Sequence, residues 1–436
     1  MNVPATIDPA PSSWSAERIR LKRFRVQVFA STWASYAGYY FCRRAFYAVK
    51  SDLTQEVGID SATLGQIEAV YLIAYAIGEF NAAVLGTRFG ARRLVLSGMA
   101  ISAACNVVFG FANNAWTFMA FMALNGLAQA TGWSGNIGTM AQWFHRKERG
   151  RVMAFWATCY QLGGAMAQGF AGFILGLWGW HWSFFGASMV LGCVWLAFYT
   201  WQRNRPEDVG LPAVTDEQPE PTDVPSQAAT SVRASANRQL IVTILMMGSF
   251  YFFIKLIRYA LWSWAPYFLR LNFGIEKAAA NYYSILFDLF GFFGVLAAGF
   301  ASDKLTQGRR APVIVVMMFG LVMSTLFLWG VGVVSVFMFV VAIALVGFTL
   351  YGPDSLISGA GAIDAASRKH ALIAAGVING MGSIGAVVQA LFIGDRYKRD
   401  PTDLGAVLLL LTAAAGVATV MILLLWRRAR AGKCNL

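Results

Sequence analysis

Long apolar stretches recur along this 436-residue chain from near one end to the other. Each runs to roughly 18 residues or more, enough helix to cross about 30 Å of hydrocarbon. This repetition constrains the fold most, because lipid-exposed backbone is satisfied only in helices or closed barrels. A barrel needs segments of about ten residues with alternating polarity, and the sequence has none. The expected fold is an all-α membrane protein. Composition agrees: 57% of residues are hydrophobic and 13% charged, against about 25% charged in soluble domains. Twelve spans are expected, at about 26–48, 62–86, 94–112, 116–141, 151–175, 181–200, 239–269, 279–301, 311–331, 334–361, 369–394 and 404–426. The tenth is interrupted by Gly347, Gly352 and Pro353, which membrane helices tolerate when neighbours re-satisfy the backbone.

Basic residues set the expected orientation. Arg18, Arg20, Lys22, Arg23 and Arg25 precede the first span. Alternate loops carry Arg88, Arg92 and Arg93; Arg146, Lys147, Arg149 and Arg151; Lys304, Arg309 and Arg310; and Arg368 and Lys369. The tail adds Arg427, Arg428, Arg430 and Lys433. The remaining loops are short and mostly poor in basic residues; the last, with Arg396, Lys398 and Arg399, is the exception. The positive-inside rule then places both termini in the cytoplasm. The net charge of +13 is thereby a topological signal, and no nucleic-acid partner is expected. Residues 1–25 are polar and basic, so no cleavable signal peptide is expected. The five cysteines are scattered without metal or disulfide spacing, and no cofactor is expected. The sequence has no Asn-x-Ser/Thr acceptor, which favours a bacterial inner membrane.

Residues 201–238 break the pattern with Pro, Asp, Glu, Ser and Ala and read as a cytoplasmic linker. The expected plan is an N-terminal segment (1–25), a six-helix half (26–200), the linker, a second half (239–426) and a tail (427–436). The turn "GFASDKLTQGRR" after span 8 has a weaker counterpart in "GTRFGARR" after span 2. Paired halves are the signature of a secondary transporter whose substrate lies between them near mid-membrane.

Intramembrane charge locates the candidate site. Tyr36, Tyr40, Arg43 with Arg44, and Tyr47 form one helical stripe. Span 7 places Lys255 and Arg258 three apart, and span 2 places Glu68, Tyr75 and Glu79 on one face. Asp288 and Asp354 complete the intramembrane acids. Arg44 and Lys255 read either as snorkelling or internally paired groups or as substrate contacts. Asp288 and Asp354 read either as ion-pair partners or as proton-coupling groups, and Glu68, toward the outer end of its span, as interfacial. Arg43 and Arg258 come one from each half at matching depth. Two guanidiniums facing one cavity form a forked trap for a tetrahedral oxyanion, which favours phosphate or a phosphate monoester.

At these residues the sequence resembles the organophosphate:phosphate antiporters of the major facilitator superfamily, which include glycerol-3-phosphate and hexose-phosphate transporters and a hexose-phosphate sensor. The resemblance covers about residues 26–426 and rests on "YAGYYFCRR", "LNGLAQATGW", "QWFHRKERG", "FFIKLIRYALWSWAPYF", "GFASDK" and "GFTLYGP". It implies that Arg43 and Arg258 hold the phosphoryl group and that Tyr36, Tyr40, Tyr75 and Tyr351 line the cavity. It also implies exchange of an organic phosphate for inorganic phosphate by a rocker-switch motion, in an architecture that works as a monomer. Four positions depart from the family pattern: Glu79 for a lysine, Tyr160 for a histidine, Ser263 for an aspartate and Ser383 for a tyrosine. Lys255 and Asp354 are additional charges, and Lys255 with Glu79 is expected to move a third positive charge from one half to the other. Two alternatives stand beside the antiporter: a sensor that binds without transport, and a proton-coupled carboxylate carrier using Glu79, Asp288 or Asp354. The three histidines, His145, His181 and His370, form no catalytic constellation, so no enzyme is expected.

Overall fold

The computed structural model describes residues 11–145, 148, 152, 153, 155–214, 230–306, 310–357 and 371–431. Among these residues there are no strands, and twelve long helices follow one another. The first half holds α1 (Pro11–Glu56), α2 (Ser61–Phe89), α3 (Ala91–Phe111), α4 (Ala115–Trp143), α5 (Thr158–Trp178) and α6 (Trp180–Trp201). The second holds α7 (Thr230–Phe273), α8 (Lys277–Phe300), α9 (Arg310–Gly330), α10 (Val336–Ser355), α11 (Ala371–Arg399) and α12 (Leu404–Arg430).

The turns that follow odd-numbered helices are short, and all but the one at Gly179, after α5, are capped by side chains. Asp60, Asn114, Ser335 and Asp403 accept backbone N–H bonds from Thr63, Thr117, Met338 and Ala406, and Glu276 accepts from Ala278 and Ala279. Each cap satisfies orphan donors of an N-terminal turn. The successive up-and-down course brings these turns to one end of the bundle and the start of α1 and end of α12 to the other.

Each expected span falls largely on one helix, with three differences at the boundaries. The continuous helix of the fifth span starts at Thr158, with Val152, Met153, Phe155 and Trp156 before it also helical, and α10 runs to Ser355 with a π turn at Leu356 and Ile357. α7 begins at Thr230, nine residues inside the expected linker. The first part of that linker is also ordered: Pro206–Val209 form a short 3-10 turn, Arg20 donates to the Val209 carbonyl at 3.1 Å, and Trp143 donates to that of Arg203 at 3.0 Å. Residues 215–229 lie outside the described residues. Among the described residues, eight helices are long and apolar enough to cross a membrane on length and composition alone. α1, α2, α4 and α5 fall short; they carry buried polar groups such as Arg43, Glu68, Gln129 and Gln168. Polar residues in membrane helices face the bundle interior, so these four helices mark where that interior lies.

Between the halves, α2 packs along α11 and α5 along α8, with α1 against α7. The α2–α11 crossing is backbone-close: a Cβ added at Gly65 would overlap the Ala390 carbonyl oxygen, and one at Gly394 the Ser61 carbonyl oxygen. Small residues permit such approach, and packing then replaces the missing hydrophobic drive within lipid. Polar bonds tie the same end. Arg270 donates to Ser51 (2.7 Å), Asp52 (2.6 Å) and Gln55 (3.0 Å), and Ser61 donates to the Gly394 carbonyl at 3.0 Å.

Candidate functional site

Arg43 lies 13 residues before the end of α1, and Arg258 lies 15 before the end of α7. At 1.5 Å per residue both are roughly 20 Å from the capped end. Arg43 is 7% exposed. Its Nε donates to Gln129 Oε1 at 3.1 Å, and its guanidinium lies over the rings of Tyr75 (4.8 Å), Tyr40 (5.1 Å) and Tyr71 (5.3 Å). Gln129 also accepts from the Tyr71 hydroxyl at 2.9 Å, and its amide donates to Ser102 and Asn125. With its amide engaged, Gln129 presents only its oxygen to Arg43. Among the described residues no carboxylate pairs with Arg43.

Arg258 has a different shell. It donates to Asp354 Oδ2 at 2.9 Å and lies over Tyr351 (4.8 Å) and Trp262 (6.0 Å). Tyr40 meets Trp262 edge-on with ring centroids 5.8 Å apart. Aromatic rings therefore connect the two guanidiniums, Arg43 to Tyr40 to Trp262 to Arg258. Cations over aromatic faces gain about 2 kcal/mol or more when desolvated, which offsets part of their burial without blocking every N–H.

The other candidates fall around this pair. Tyr36 packs on Tyr40, Trp133 and Trp156, and Tyr160 on Trp133. Lys255 and Glu79 meet on opposite sides of one amide: Lys255 Nζ donates to Asn379 Oδ1 at 2.7 Å, and Asn379 Nδ2 donates to Glu79 Oε2 at 3.1 Å. The chain Lys255–Asn379–Glu79 runs from α7 through α11 to α2 and so crosses between the halves.

Asp288 is elsewhere. It pairs with Arg44 and accepts from the Tyr351 hydroxyl at 2.6 Å. Arg44 also donates to the Trp262 carbonyl at 2.7 Å and Gln168 at 3.3 Å, and stacks on the Trp262 ring at 3.8 Å. The interfacial expectation for Glu68 is overturned: it is fully buried, paired with the equally buried Lys50 at 2.5 Å, and accepts from Gln389 of α11 at 3.2 Å. Depth along a helix says nothing about what neighbouring helices cover, and here α1 and α11 cover it.

Sequence reasoning missed Lys50, Tyr71, Gln129, Trp262 as the central ring, and Asn379. Two had a signal: Lys50 continues the Arg43–Tyr47 stripe, and Tyr71 lies four residues before Tyr75. Asn379, alone in a Gly- and Ala-rich stretch, had none.

The arrangement is a buried, aromatic-walled pair of guanidiniums drawn from two six-helix halves. The model of the Major Facilitator Superfamily matches residues 32–390, and the chain belongs to that superfamily. It is a multi-pass membrane protein of a transporter fold and not an enzyme. It is similar to a probable hexose phosphate transport protein of Chlamydia muridarum, 28% identical over 93% of this chain and 91% of that one. It is similar to the membrane sensor protein UhpC of Escherichia coli, 26% identical over 93% and 92%. Among solved structures, an inward-facing, occupied bacterial homologue of the human lysosomal transporter Spinster has the same fold, with a TM-score of 0.72, 15% identity and coverage of 93% and 97%.

Proposed function

We propose that this chain is a secondary active transporter that exchanges a small organic phosphate for inorganic phosphate by alternating access between its halves. The observation that carries this reading is the opposition of Arg43 and Arg258, one per half at equal depth, joined by an aromatic wall. Phosphate offers oxygens on several sides, so guanidiniums from both halves can grip it at once. A carboxylate can also bridge two guanidiniums, but it offers two oxygens in one plane where phosphate offers three or four in a tetrahedron. The name of the Chlamydia relative supports the substrate class. Tyr36, Tyr40, Tyr75, Tyr160 and Tyr351 then wall the organic part, with Lys255 and Glu79 at its far side. With the basic loops in the cytoplasm, the bonded end formed by Arg270, Asp52, Ser61 and Gly394 faces outward in a working monomer.

Proteoliposomes loaded with phosphate should take up labelled phosphate, and Arg43→Ala or Arg258→Ala should lower the rate at least about a hundredfold, the loss of one charge-assisted clamp. Uptake unaffected by either change contradicts the clamp. The sensor relative favours a second reading, in which the same residues bind phosphate and no exchange occurs; saturable binding without uptake would identify it.

A further inference from the structure

Glu79 stands apart from the other carboxylates buried between the helices. Glu68 is paired with Lys50, Asp288 with Arg44 and Asp354 with Arg258. Half-buried Glu79 accepts from an amide, Asn379, and among the described residues no cation lies within salt-bridge distance of it. The ammonium of Lys255 is turned to the other side of that amide and toward Ser383 at 3.4 Å. Lys255 and Arg43 act on Glu79 only from beyond salt-bridge distance, and a buried carboxylate is costly until a cation is bonded to it, which leaves a place for one carried by the substrate.

Charge counting points the same way. Arg43, Lys255 and Arg258 against Glu79 and Asp354 leave the cavity with a single net positive charge. A phosphate monoester near neutral pH carries close to two negative charges and overshoots it. The same ester with an ammonium group on its organic part carries one and matches it. Distance is also suitable. Tyr75 touches Arg43, and Glu79 lies one helical turn further along α2, which puts its carboxylate about 10 Å from the guanidinium. A phosphoryl group bonded to Arg43, a two- or three-carbon chain and an ammonium bonded to Glu79 span about that length.

Resting on the phosphate-clamp reading above, we infer that the organic part of the substrate carries an ammonium group held by Glu79, making the substrate class a short aminoalkyl phosphate or phosphonate of net charge −1. Asp354 sets the limit on phosphoryl charge by sharing Arg258 with the substrate.

A matched pair of competitors tests this. At pH 8, 2-aminoethyl phosphate and ethyl phosphate differ by one ammonium group and have nearly the same length. In phosphate-loaded proteoliposomes, 2-aminoethyl phosphate should inhibit labelled-phosphate uptake about tenfold more strongly, the effect of one charge-assisted hydrogen bond. Glu79→Gln should bring the ratio to about one, and Glu79→Asp, which keeps the charge, should retain a clear preference and guards against a fold defect in the first variant. Equal or stronger inhibition by ethyl phosphate in the wild type would overturn the inference while leaving the exchanger intact; it is the outcome expected if Glu79 carries a proton. A preference that survives Glu79→Gln would overturn it too. Absence of phosphate exchange in the wild type would instead remove the antiporter reading on which the inference stands.

Discussion

Arg43 and Arg44 are adjacent in sequence, yet one belongs to a cavity and the other to a seam. Arg44, 2% exposed, is held by a carboxylate, a carbonyl, an amide and an indole face. Arg43 has one amide oxygen and three tyrosine rings. A step of 100° around α1 separates the two environments. Along the seam, charges are neutralised by protein: Arg44 with Asp288, Lys50 with Glu68, Arg270 with Asp52. In the cavity, among the described residues, Arg43 has no carboxylate and Glu79 no cation within salt-bridge distance, and ligand charge completes the balance. The seam neutralises its charges within the fold, whereas the cavity does so only for Arg258, through Asp354, and leaves the rest to a ligand.

The seam side of this contrast breaks most visibly at Lys50. Lys50→Met leaves Glu68 buried without its cation and should cost about 3–5 kcal/mol, read as a large fall in the thermal unfolding midpoint of the detergent-solubilised protein. Lys50→Met with Glu68→Leu removes both charges and should recover most of that loss. A double variant as unstable as the single one would mean that the pair supports stability in some other way.

Backbone packing at the same end gives a smaller effect. Gly65→Ala drives a methyl group into the Ala390 carbonyl, and overpacking of this kind costs about 1–3 kcal/mol. The helices should part there, and a cysteine introduced at Ser61 should react faster with an impermeant thiol reagent. Unchanged reactivity would show that α2 and α11 have slack that the close crossing does not suggest.

The fold was legible because lipid forces periodicity: twelve apolar runs became twelve helices. The two arginines proposed as the clamp stood out in the sequence because Arg43 and Arg258 are expensive in a membrane, recur once per half, and bring tyrosines at helical spacing. The partners did not. Nothing local tells that Arg44 meets Asp288 of α8, 244 positions away, or that Glu68 meets Gln389 of α11. Helix–helix register determines those pairs, and apolar sequences encode register in small residues such as Gly65 and Gly394 whose partners are seen only after folding. Asn379 shows the limit best: one amide in a featureless stretch becomes the bridge between Lys255 and Glu79.

The central claim, that guanidiniums from both halves hold one phosphoryl group, is tested most directly by titrating inorganic phosphate into the purified protein and its Arg43→Gln, Arg258→Gln and Arg44→Gln variants by calorimetry. Each of the first two should weaken binding roughly a hundredfold, about 2.7 kcal/mol. Arg44→Gln should lower the unfolding midpoint, while the folded fraction still binds phosphate within a few-fold of the wild type. Phosphate binding unchanged by Arg43→Gln and Arg258→Gln, or lost only with Arg44, would contradict the division between cavity and seam.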